Sequence, residues 1–254
     1  MEYQYIEKGN RRLYSIYHEP EHPGREDTGI VLCYPLGHEY IRCHRLNVNL
    51  AHKLAREGFH VLRFDYSGTG DSAGDFTSLT VEGCLEDIGM AVSELKDACG
   101  ITRVGLAGVR FGATLSLLYM QQQPVDMAVV WNPVYDGTRY LRDIQQEYHA
   151  WKKGMLVKEK AMPGNSISCF GFHYDAAFLQ QVAAIRPETV RFPTDSTLLL
   201  IDEKAPANVP PQLTYLPSHN KEFWLKRDHE KEKSMVPVAE INAILQWINE
   251  KTEE

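Results

Sequence analysis

The sequence predicts an α/β fold in which a mostly parallel sheet is covered by helices on both faces. Four short apolar runs are typical of buried strands, at 29–34, 59–64, 103–107 and 127–131. Segments with apolar residues at helical spacing lie between these runs, and this alternation is typical of doubly wound sheets. A length of 254 residues, 43% of them hydrophobic, fits one domain over 1–254.

Further elements complete the predicted sheet. A hairpin at the amino terminus pairs 3–7 with 12–17 around the turn Lys8-Gly9-Asn10. Helical spacing, with Gly or Pro at several ends, predicts helices at 44–57, 79–99, 112–122 and 237–250. Two later strands are predicted at 197–201 and 212–216.

The segment 132–193 breaks the alternation and is interpreted as a helical cap inserted after the sixth strand. It is aromatic and mixed, with a helix predicted at 140–153 and a loop at Met162-Pro163-Gly164-Asn165. The cap is expected to cover the loops at one edge of the sheet.

Composition excludes several classes of function. The net charge of −7, without a basic stripe, argues against nucleic acid as a partner. The amino terminus lacks a signal pattern and no apolar run reaches membrane-spanning length, so no membrane association is expected. Five scattered cysteines without C-x-x-C spacing predict a reduced, cytoplasmic protein without a zinc site.

The segment 104–113 carries a strand-to-helix turn in a distinctive frame. Gly108 and Gly112 flank Arg110 at the spacing of the G-x-S-x-G turn, in which a sharp bend lifts one side chain above the sheet. Small flanking residues are needed because strand and helix approach closely and the central backbone is strained. Arg110 stands where this frame places Ser, and a guanidinium has no lone pair with which to attack a carbonyl. The frame therefore predicts a hydrolase-like site that lacks serine chemistry.

Two other loops fit the same frame. The loop 34–39 follows the strand that feeds the oxyanion hole in such enzymes, where a backbone N–H faces developing negative charge. An ordinary strand-to-helix loop is the alternative. The Gly-rich turn 65–72 resembles the D-x-x-G-x-G-x-S turn of this fold. It is expected to be structural, with Asp71 and Ser72 stabilising it.

The expected acid position is altered. In this fold the chain order is Ser, then Asp or Glu, then His. Ala205 occupies the acid position after the strand 197–201. Asp202 or Glu203 would serve as the acid only if the loop were rearranged.

The expected base position is altered too. It lies before an aromatic pair and the closing helix, and it holds Glu222. His219 lies three residues before it and His229 seven residues after it. A His in such a polar loop is more often a solvent-facing residue than a base.

With these motifs the chain resembles the α/β-fold hydrolases whose turn is of the G-L-R-L-G-A type, including the exosortase-system-associated hydrolases of bacteria. The resemblance covers nearly the whole chain, and the segments that carry it are 32–42, 62–66, 108–115, 130–134 with 140–141, 170–172, and 236–237 with 247–248. It implies an α/β-hydrolase fold, and it implies that Arg110 is a feature of the lineage. The name hydrolase rests there on fold analogy, which is weak ground for assigning a reaction.

Arg110 is expected to contribute to an anion site at the carboxyl edge of the sheet. The amino terminus of the helix that begins near Gly112 and the N–H groups of Phe111 and Leu36 are expected to face the same point. The residues expected to line this crevice as ligand contacts are Val109, Arg110, Phe111, Leu36, Gly37, His38, Tyr40 and Trp131.

Three hypotheses about function follow. The leading one is a bacterial accessory protein that binds a small anionic or acyl molecule, or a partner protein, without serine catalysis, cofactor or metal. The alternative is an esterase or thioesterase in which His219 or Glu39 activates water and Arg110 stabilises the oxyanion. The third is an interaction protein, with a protein partner or a second copy, in which Arg110 pairs with Glu39 or Asp136 and plugs the pocket.

Overall fold

The computed structural model describes residues 1–22, 25, 27–153, 166–207, 209–218 and 236–253. Its strands are β1 (Glu2–Lys8), β2 (Arg11–His18), β3 (Thr28–Cys33), β4 (His60–Phe64), β5 (Arg103–Val109), β6 (Met127–Trp131), β7 (Ile167–Cys169), β8 (Phe172–Tyr174), β9 (Thr197–Asp202) and β10 (Leu213–Pro217). Its α-helices are α1 (His38–Arg56), α2 (Val81–Cys99), α3 (Phe111–Met120), α4 (Gly137–Lys152), α5 (Ala176–Ala184) and α6 (Val238–Glu253).

Eight of these strands form one sheet in the order β1-β2-β4-β3-β5-β6-β9-β10. The hairpin β1–β2 is antiparallel and joins β4 in antiparallel register, while the strands from β4 to β10 are mutually parallel. The predicted α/β-hydrolase fold is confirmed. Because the carboxyl ends of parallel strands share one edge, the ends of β3, β5, β6, β9 and β10 meet there.

Two apolar layers enclose the sheet. On one face α1 and α6 pack against alternate strand residues, among them Ile30, Val109 and Trp131. On the other face α2 and α3 pack against residues of opposite parity, such as Val31 and Val130, and the elements that follow β6 join this layer. The continuous apolar runs in the sequence reflect this burial on both faces.

The strand predictions agree with the structure to within one or two residues, but the start of α1 was predicted wrongly. The helix was expected from residue 44 and begins at His38. Its first turn is polar in sequence, yet both His38 and Glu39 are buried. The spacing of apolar residues therefore gives no sign that the helix begins there. The segment 34–39 is therefore only partly a loop.

Between β6 and β9 the described residues form α4, the antiparallel pair β7–β8 and α5. The segment predicted as a helical cap thus also contains a short hairpin. Helices α4 and α5 pack closely, since a Cβ at Gly137 would lie 1.6 Å from the carbonyl oxygen of Val182. The predicted loop at 162–165 lies outside the described residues, and the boundaries 132–193 stay a prediction. Within the described chain, none of the helices has the length and apolar character needed to span a bilayer.

Candidate functional site at the carboxyl edge of the sheet

Arg110 lies in the tight turn that joins β5 to α3. Its backbone has φ 55° and ψ −122°, in the region that L-residues rarely adopt. Its N–H donates to the carbonyl oxygen of Trp131 at 2.8 Å, and its own carbonyl oxygen accepts from the Thr114 N–H at 3.2 Å. Holding a non-glycine residue in such a sparsely populated region costs of the order of 1–3 kcal/mol, so the surrounding structure must hold this turn in place.

The two glycines that flank Arg110 allow the strand and the helix to come together. A Cβ at Gly112 would lie 2.2 Å from the carbonyl oxygen of Cys33, and one at Gly108 would lie 2.6 Å from the Cα of Ala113. Both obstacles are backbone atoms and cannot rotate away. The G-x-x-x-G spacing is therefore a steric requirement of this strand–turn–helix.

The Arg110 guanidinium forms an ion pair with Glu39 in the first turn of α1. Arg110 Nε donates to Glu39 Oε1 at 2.9 Å, Arg110 Nη1 donates to the Asn132 carbonyl oxygen at 3.2 Å, and the Tyr140 hydroxyl donates to Glu39 Oε2 at 3.1 Å. The Glu39 side chain is fully buried and that of Arg110 is 15% exposed. Both carboxylate oxygens of Glu39 thus have donors. Asp136, the other acid considered as a partner, instead caps α4 by accepting from the Arg139 N–H at 2.9 Å.

The electrostatics of this cluster keep its members in fixed protonation states. Burial is the largest single influence and on its own lowers the pKa of Arg110, but the charge and the hydrogen bond of Glu39 together with Tyr140 and Cys43 outweigh it, so the pKa of the guanidinium is raised. Burial and then the charge of Glu39 hold the pKa of Tyr140 well above its usual range. Arg110 therefore stays charged, and Tyr140 stays a neutral hydrogen-bond donor over the ordinary pH range.

Asn132 follows β6 and connects Arg110 to the next two strand ends. It has φ 45°, its N–H donates to the carbonyl oxygen of Ile201 at 2.7 Å, and its Nδ2 donates to Ser218 Oγ at 3.3 Å. Its side chain is buried, and its Oδ1 has no hydrogen-bond donor among the described residues. A buried acceptor without a donor is rare in folded proteins.

Asp202 ends β9 at the same edge. Its Oδ1 accepts from the Glu203 N–H at 2.7 Å, and its carboxylate also interacts with the Tyr135 hydroxyl. Its carbonyl oxygen accepts from the Ser218 N–H at 2.8 Å. Burial raises the pKa of the Asp202 carboxyl, while the charge of Arg110 acts in the opposite direction. Asp202 thus belongs to the polar cluster around Arg110 even though its carboxylate is held by its own loop and by Tyr135.

The residues of the loop after β3 are held by the segment between β6 and β9. The Tyr174 hydroxyl lies so close to Gly37, which has φ 62°, that a Cβ there would be 1.9 Å from it. The His38 ring packs on the ring of Phe170, with centroids 4.6 Å apart. Leu36 is buried in the core. Phe170 itself has φ 54°, so a strained residue is found here as well.

Other predicted contacts have structural roles in this arrangement. Tyr40 donates its hydroxyl to Asp65 Oδ1 at 2.8 Å. The ring of Phe111 is fully buried and stacks on Tyr140, with centroids 5.5 Å apart. Val109 and Trp131 were expected to contact a ligand, but they end their strands with side chains turned into the layer under α1 and α6. Their alternation along the strand makes them packing residues, and their backbone, rather than their side chains, reaches the site.

The Gly-rich turn after β4 is structural, as expected. The Ser72 hydroxyl accepts from the Tyr14 N–H at 2.8 Å and donates to the Asp65 carbonyl oxygen at 2.6 Å. Asp65 Oδ2 accepts from the Asp71 N–H at 3.1 Å. The turn is therefore fixed by Ser72 and by Asp65, with Asp71 contributing its backbone.

The sequence places Asn132 in the same crevice, mostly as packing, whereas Tyr140 and Tyr135 were not predicted as parts of the site. Nothing in the local pattern marks them, because each depends on an element that is distant in sequence. His219, Glu222 and His229 lie outside the described residues, so the candidate base His219 stays a prediction. Among the described side chains, no group of three or more His, Cys, Asp or Glu is arranged to hold a metal ion.

Comparison with known proteins places these features in a family. The sequence model of the family described as serine aminopeptidase, S33, matches residues 36–184, which include Glu39, Arg110 and Asn132. No curated protein matches the chain.

Solved structures with the same fold are distant in sequence. Ferulic-acid-bound Est1E from Butyrivibrio proteoclasticus has a TM-score of 0.63 at 16% identity, covering 99% of this chain and 100% of that one. Proline iminopeptidase from Mycobacterium smegmatis has a TM-score of 0.58 at 13% identity, covering 99% of each chain. Mouse α/β hydrolase domain-containing protein 10 has a TM-score of 0.56 at 17% identity, covering 98% and 99%. At these identities the likeness concerns the fold alone.

Proposed function

The chain belongs to the serine aminopeptidase (S33) family of α/β hydrolases, and we propose that it binds an acyl or anionic ligand at Arg110 without forming an acyl-enzyme. The observation that carries the proposal is the position of Arg110. It occupies the strained turn between β5 and α3 where the G-x-S-x-G frame of this fold carries its nucleophile. A guanidinium cannot act as that nucleophile. Within the family we propose that the chain belongs to the bacterial, cytoplasmic group whose turn is of the G-L-R-L-G-A type, which here reads G-V-R-F-G-A over residues 108–113.

The arrangement around Glu39 argues against its use as a displaced base. A general base needs a lone pair directed at the proton it removes. One oxygen of Glu39 accepts from Arg110 and the other from Tyr140. The carboxylate is also fully buried. Glu39 therefore serves to hold the guanidinium rather than to activate water.

The remaining hydrogen-bonding capacity of Arg110 indicates the class of ligand. Nε and Nη1 are used by Glu39 and Asn132, whereas Nη2 has no acceptor among the described residues. Two N–H groups on Nη2 suit a carbonyl or carboxylate oxygen. Because Glu39 already compensates the positive charge, the net attraction for an isolated anion is small. The site therefore favours an acyl group, bound through its oxygen, over free phosphate.

A labelling experiment tests whether an acyl-enzyme forms. Treatment with a fluorophosphonate probe, followed by intact-mass measurement, is expected to leave the protein unmodified, and chromogenic esters are expected to be turned over no faster than in buffer. An active serine hydrolase of the same fold serves as the positive control. Labelling that is stoichiometric and is abolished by Ser218→Ala would replace this proposal with the esterase or thioesterase alternative.

A binding experiment tests the ligand class. Calorimetry compares short-chain carboxylates, their neutral amides and inorganic phosphate on the wild type and on the Arg110→Gln/Glu39→Gln double variant. The double variant removes both charges together and so avoids leaving a buried carboxylate without its partner. A hydrogen bond to a charged group is worth about 1.5–3 kcal/mol, so the double variant is expected to bind carboxylates about ten- to a hundredfold more weakly.

Arg139→Gln is the matched control for that experiment, because the Arg139 side chain is well exposed and its guanidinium pairs only loosely, at 3.8 Å, with Asp143 on the same helix. It should bind like the wild type. Equal affinity in the wild type and the double variant would mean that Arg110 only fills the pocket. Phosphate bound more tightly than any carboxylate or amide would contradict the acyl preference.

A further inference from the structure

Strand β1 forms one edge of the eight-stranded sheet and pairs with a neighbour on one side only. It is regularly paired to β2 over all seven of its residues, from Glu2↔Tyr17 to Lys8↔Arg11. It contains no Pro, and its pairing to β2 shows no bulge. Natural edge strands are usually short, bulged, interrupted by Pro or covered, because their free N–H and C=O groups invite pairing with another chain. Among the described residues β1 has none of these backbone protections, and the charges that it carries, on Glu2, Glu7 and Lys8, protect an edge only against strands that do not complement them.

The charges of β1 are placed so that the strand complements itself. Glu2 and Lys8 lie at its two ends, equidistant from Tyr5. We propose that two copies of this chain associate through antiparallel pairing of their β1 strands, with Tyr5 at the two-fold axis. In that register each Glu2 lies opposite Lys8 of the second copy, which gives two cross-strand ion pairs.

The neighbouring registers are less favourable. Residues that lie opposite each other in an antiparallel pair must both direct their backbone N–H and C=O groups towards the other strand or both away from it, so the competing registers are shifted by two residues. A shift in one direction sets Glu2 opposite Ile6 of the second copy and leaves Lys8 beyond the paired segment. A shift in the other direction sets Lys8 opposite Gln4 and leaves Glu2 beyond the paired segment, so neither register pairs a glutamate with a lysine. The register centred on Tyr5 is therefore the one that the charges select.

The outer face of the hairpin supplies apolar surface for the same contact. Tyr3 is 62% exposed and Tyr5 is 44% exposed. The Tyr5 ring packs edge-on against Tyr14 at 5.7 Å, and the Arg12 guanidinium lies 3.9 Å from the centre of the Tyr5 ring. Tyr and Arg are enriched in the cores of protein interfaces. Pairing at the axis would continue this aromatic surface from one copy to the next.

The expected dimer is weak. Seven paired residues span about 23 Å, and a contact of that length with two tyrosines from each copy falls at the small end of specific interfaces. We therefore expect a reversible dimer with a Kd in the range of about 10–100 µM, which sedimentation velocity over a concentration series would show.

Charge reversal tests the register. Lys8→Glu and Glu2→Lys each turn two attractive pairs into two repulsive ones and should each weaken dimerisation by at least about tenfold. The double variant Glu2→Lys/Lys8→Glu restores the opposite charges and should recover a Kd within about threefold of the wild type. Glu21→Lys, an exposed charge reversal outside β1, is the control and should leave the Kd unchanged.

Cross-linking gives an independent measure of the same geometry. Tyr5→Cys brings two cysteines opposite each other at a Cα separation of about 4.5–5.5 Å, within the range that a disulfide spans. Tyr3→Cys introduces an equally exposed thiol that faces Glu7 of the second copy. On mild oxidation Tyr5→Cys is expected to form a disulfide-linked dimer, whereas Tyr3→Cys and the wild type are expected to form almost none and to run as monomers on a denaturing, non-reducing gel.

Several results would overturn the proposal. A protein that sediments as a monomer at all concentrations up to about 300 µM lacks the expected affinity. A dimer that is unaffected by both single charge reversals uses another surface. Efficient cross-linking of Tyr3→Cys in preference to Tyr5→Cys would show a different register. None of these outcomes bears on the ligand proposed at Arg110, so the two proposals fail separately.

Discussion

Replacing Arg110 alone should destabilise the protein far more than replacing Arg110 and Glu39 together. In Arg110→Gln the Glu39 carboxylate stays fully buried and keeps only the Tyr140 hydroxyl as donor. Removing one partner of a buried ion pair costs about 3–5 kcal/mol, because the other charge is left uncompensated. For a domain of this size, that corresponds to a fall in Tm of roughly 6–20 °C.

The exposures of the two partners predict an asymmetry. The Arg110 side chain is 15% exposed and Glu39 is not exposed at all. A cation that reaches solvent is less costly to leave unpaired than a carboxylate that does not. Glu39→Gln should therefore cost less than Arg110→Gln, and the double variant should recover most of the loss.

A double-mutant cycle measures this coupling. Urea unfolding of the wild type, both single variants and the double variant gives four free energies of unfolding, whose combination isolates the pair. We expect a coupling of about 2 kcal/mol or more. A coupling below about 0.5 kcal/mol, the usual error of additivity, would refute the view that Glu39 is there to hold Arg110.

Three further outcomes are expected. Gly112→Ala should prevent stable folding or lower the Tm severely, because its Cβ would lie 2.2 Å from a backbone oxygen. The control Gly100→Ala, at φ 65° with no atom near the new Cβ, should lower the stability by only about 1–2 kcal/mol. Similar Tm values for the two variants would contradict the steric argument. Burial, followed by the charge of Arg63, lowers the pKa of His18 to about 3. The folded protein thus resists protonation there while the unfolded chain accepts a proton below pH 6.5, so this contribution to stability is lost as pH falls from about 6.5 towards 3. The variant His18→Gln keeps an acceptor for Arg63 Nε but has no group that titrates. Between pH 7 and pH 4 its free energy of unfolding should therefore fall less steeply than that of the wild type, with a difference in slope of up to about 1.4 kcal/mol per pH unit. Parallel pH profiles of the two proteins would contradict this expectation. Phe170→Ala should loosen the loop after β3, because the rings of His38 and Phe170 pack with their centroids 4.6 Å apart. Faster amide hydrogen exchange at Gly37 and His38 is the expected result. Unchanged exchange there would show that the contact does not hold the loop.

The sequence predicts the sheet well because its central strands are buried on both faces and are therefore continuous apolar runs. The same signal fails at the start of α1. The first turn is buried through a carboxylate, and the partner of Glu39 lies 71 residues away in the chain. The spacing of apolar residues cannot predict the burial of a charged side chain whose ion-pair partner lies in a distant element.

The candidate site was predictable where steric rules apply and unpredictable where tertiary packing decides. Gly108 and Gly112 mark the turn because backbone atoms approach them. The side chains of Val109 and Trp131 face the layer under α1 and α6 because successive residues of a strand point to opposite faces of the sheet, and their predicted ligand contacts stay a prediction. Tyr140 reaches Glu39 from a helix that follows β6, and no local pattern records that contact.

Backbone strain at two adjacent strand ends supports the binding role that we propose for the cluster around Arg110. Arg110 and Asn132 both adopt positive φ, and the two are joined by the hydrogen bond from Nη1 to the Asn132 carbonyl oxygen. The positive φ of Arg110 belongs to the strained turn of this frame, whereas that of Asn132 lies outside the frame. Such strain persists where the surrounding structure fixes it, and it concentrates at functional sites.

The unpaired polar atoms point the same way. Among the residues described, the buried Oδ1 of Asn132 has no hydrogen-bond donor and Nη2 of Arg110 has no acceptor. The two residues are in contact with each other. A donor and an acceptor left open on two residues in contact complement a group such as a carboxylic acid or a primary amide, which offers one of each. Competition between a primary amide and its N,N-dimethyl analogue tests this step. Equal affinity would show that Asn132 Oδ1 takes no part, and weaker binding of the dimethyl analogue would place both residues in one site.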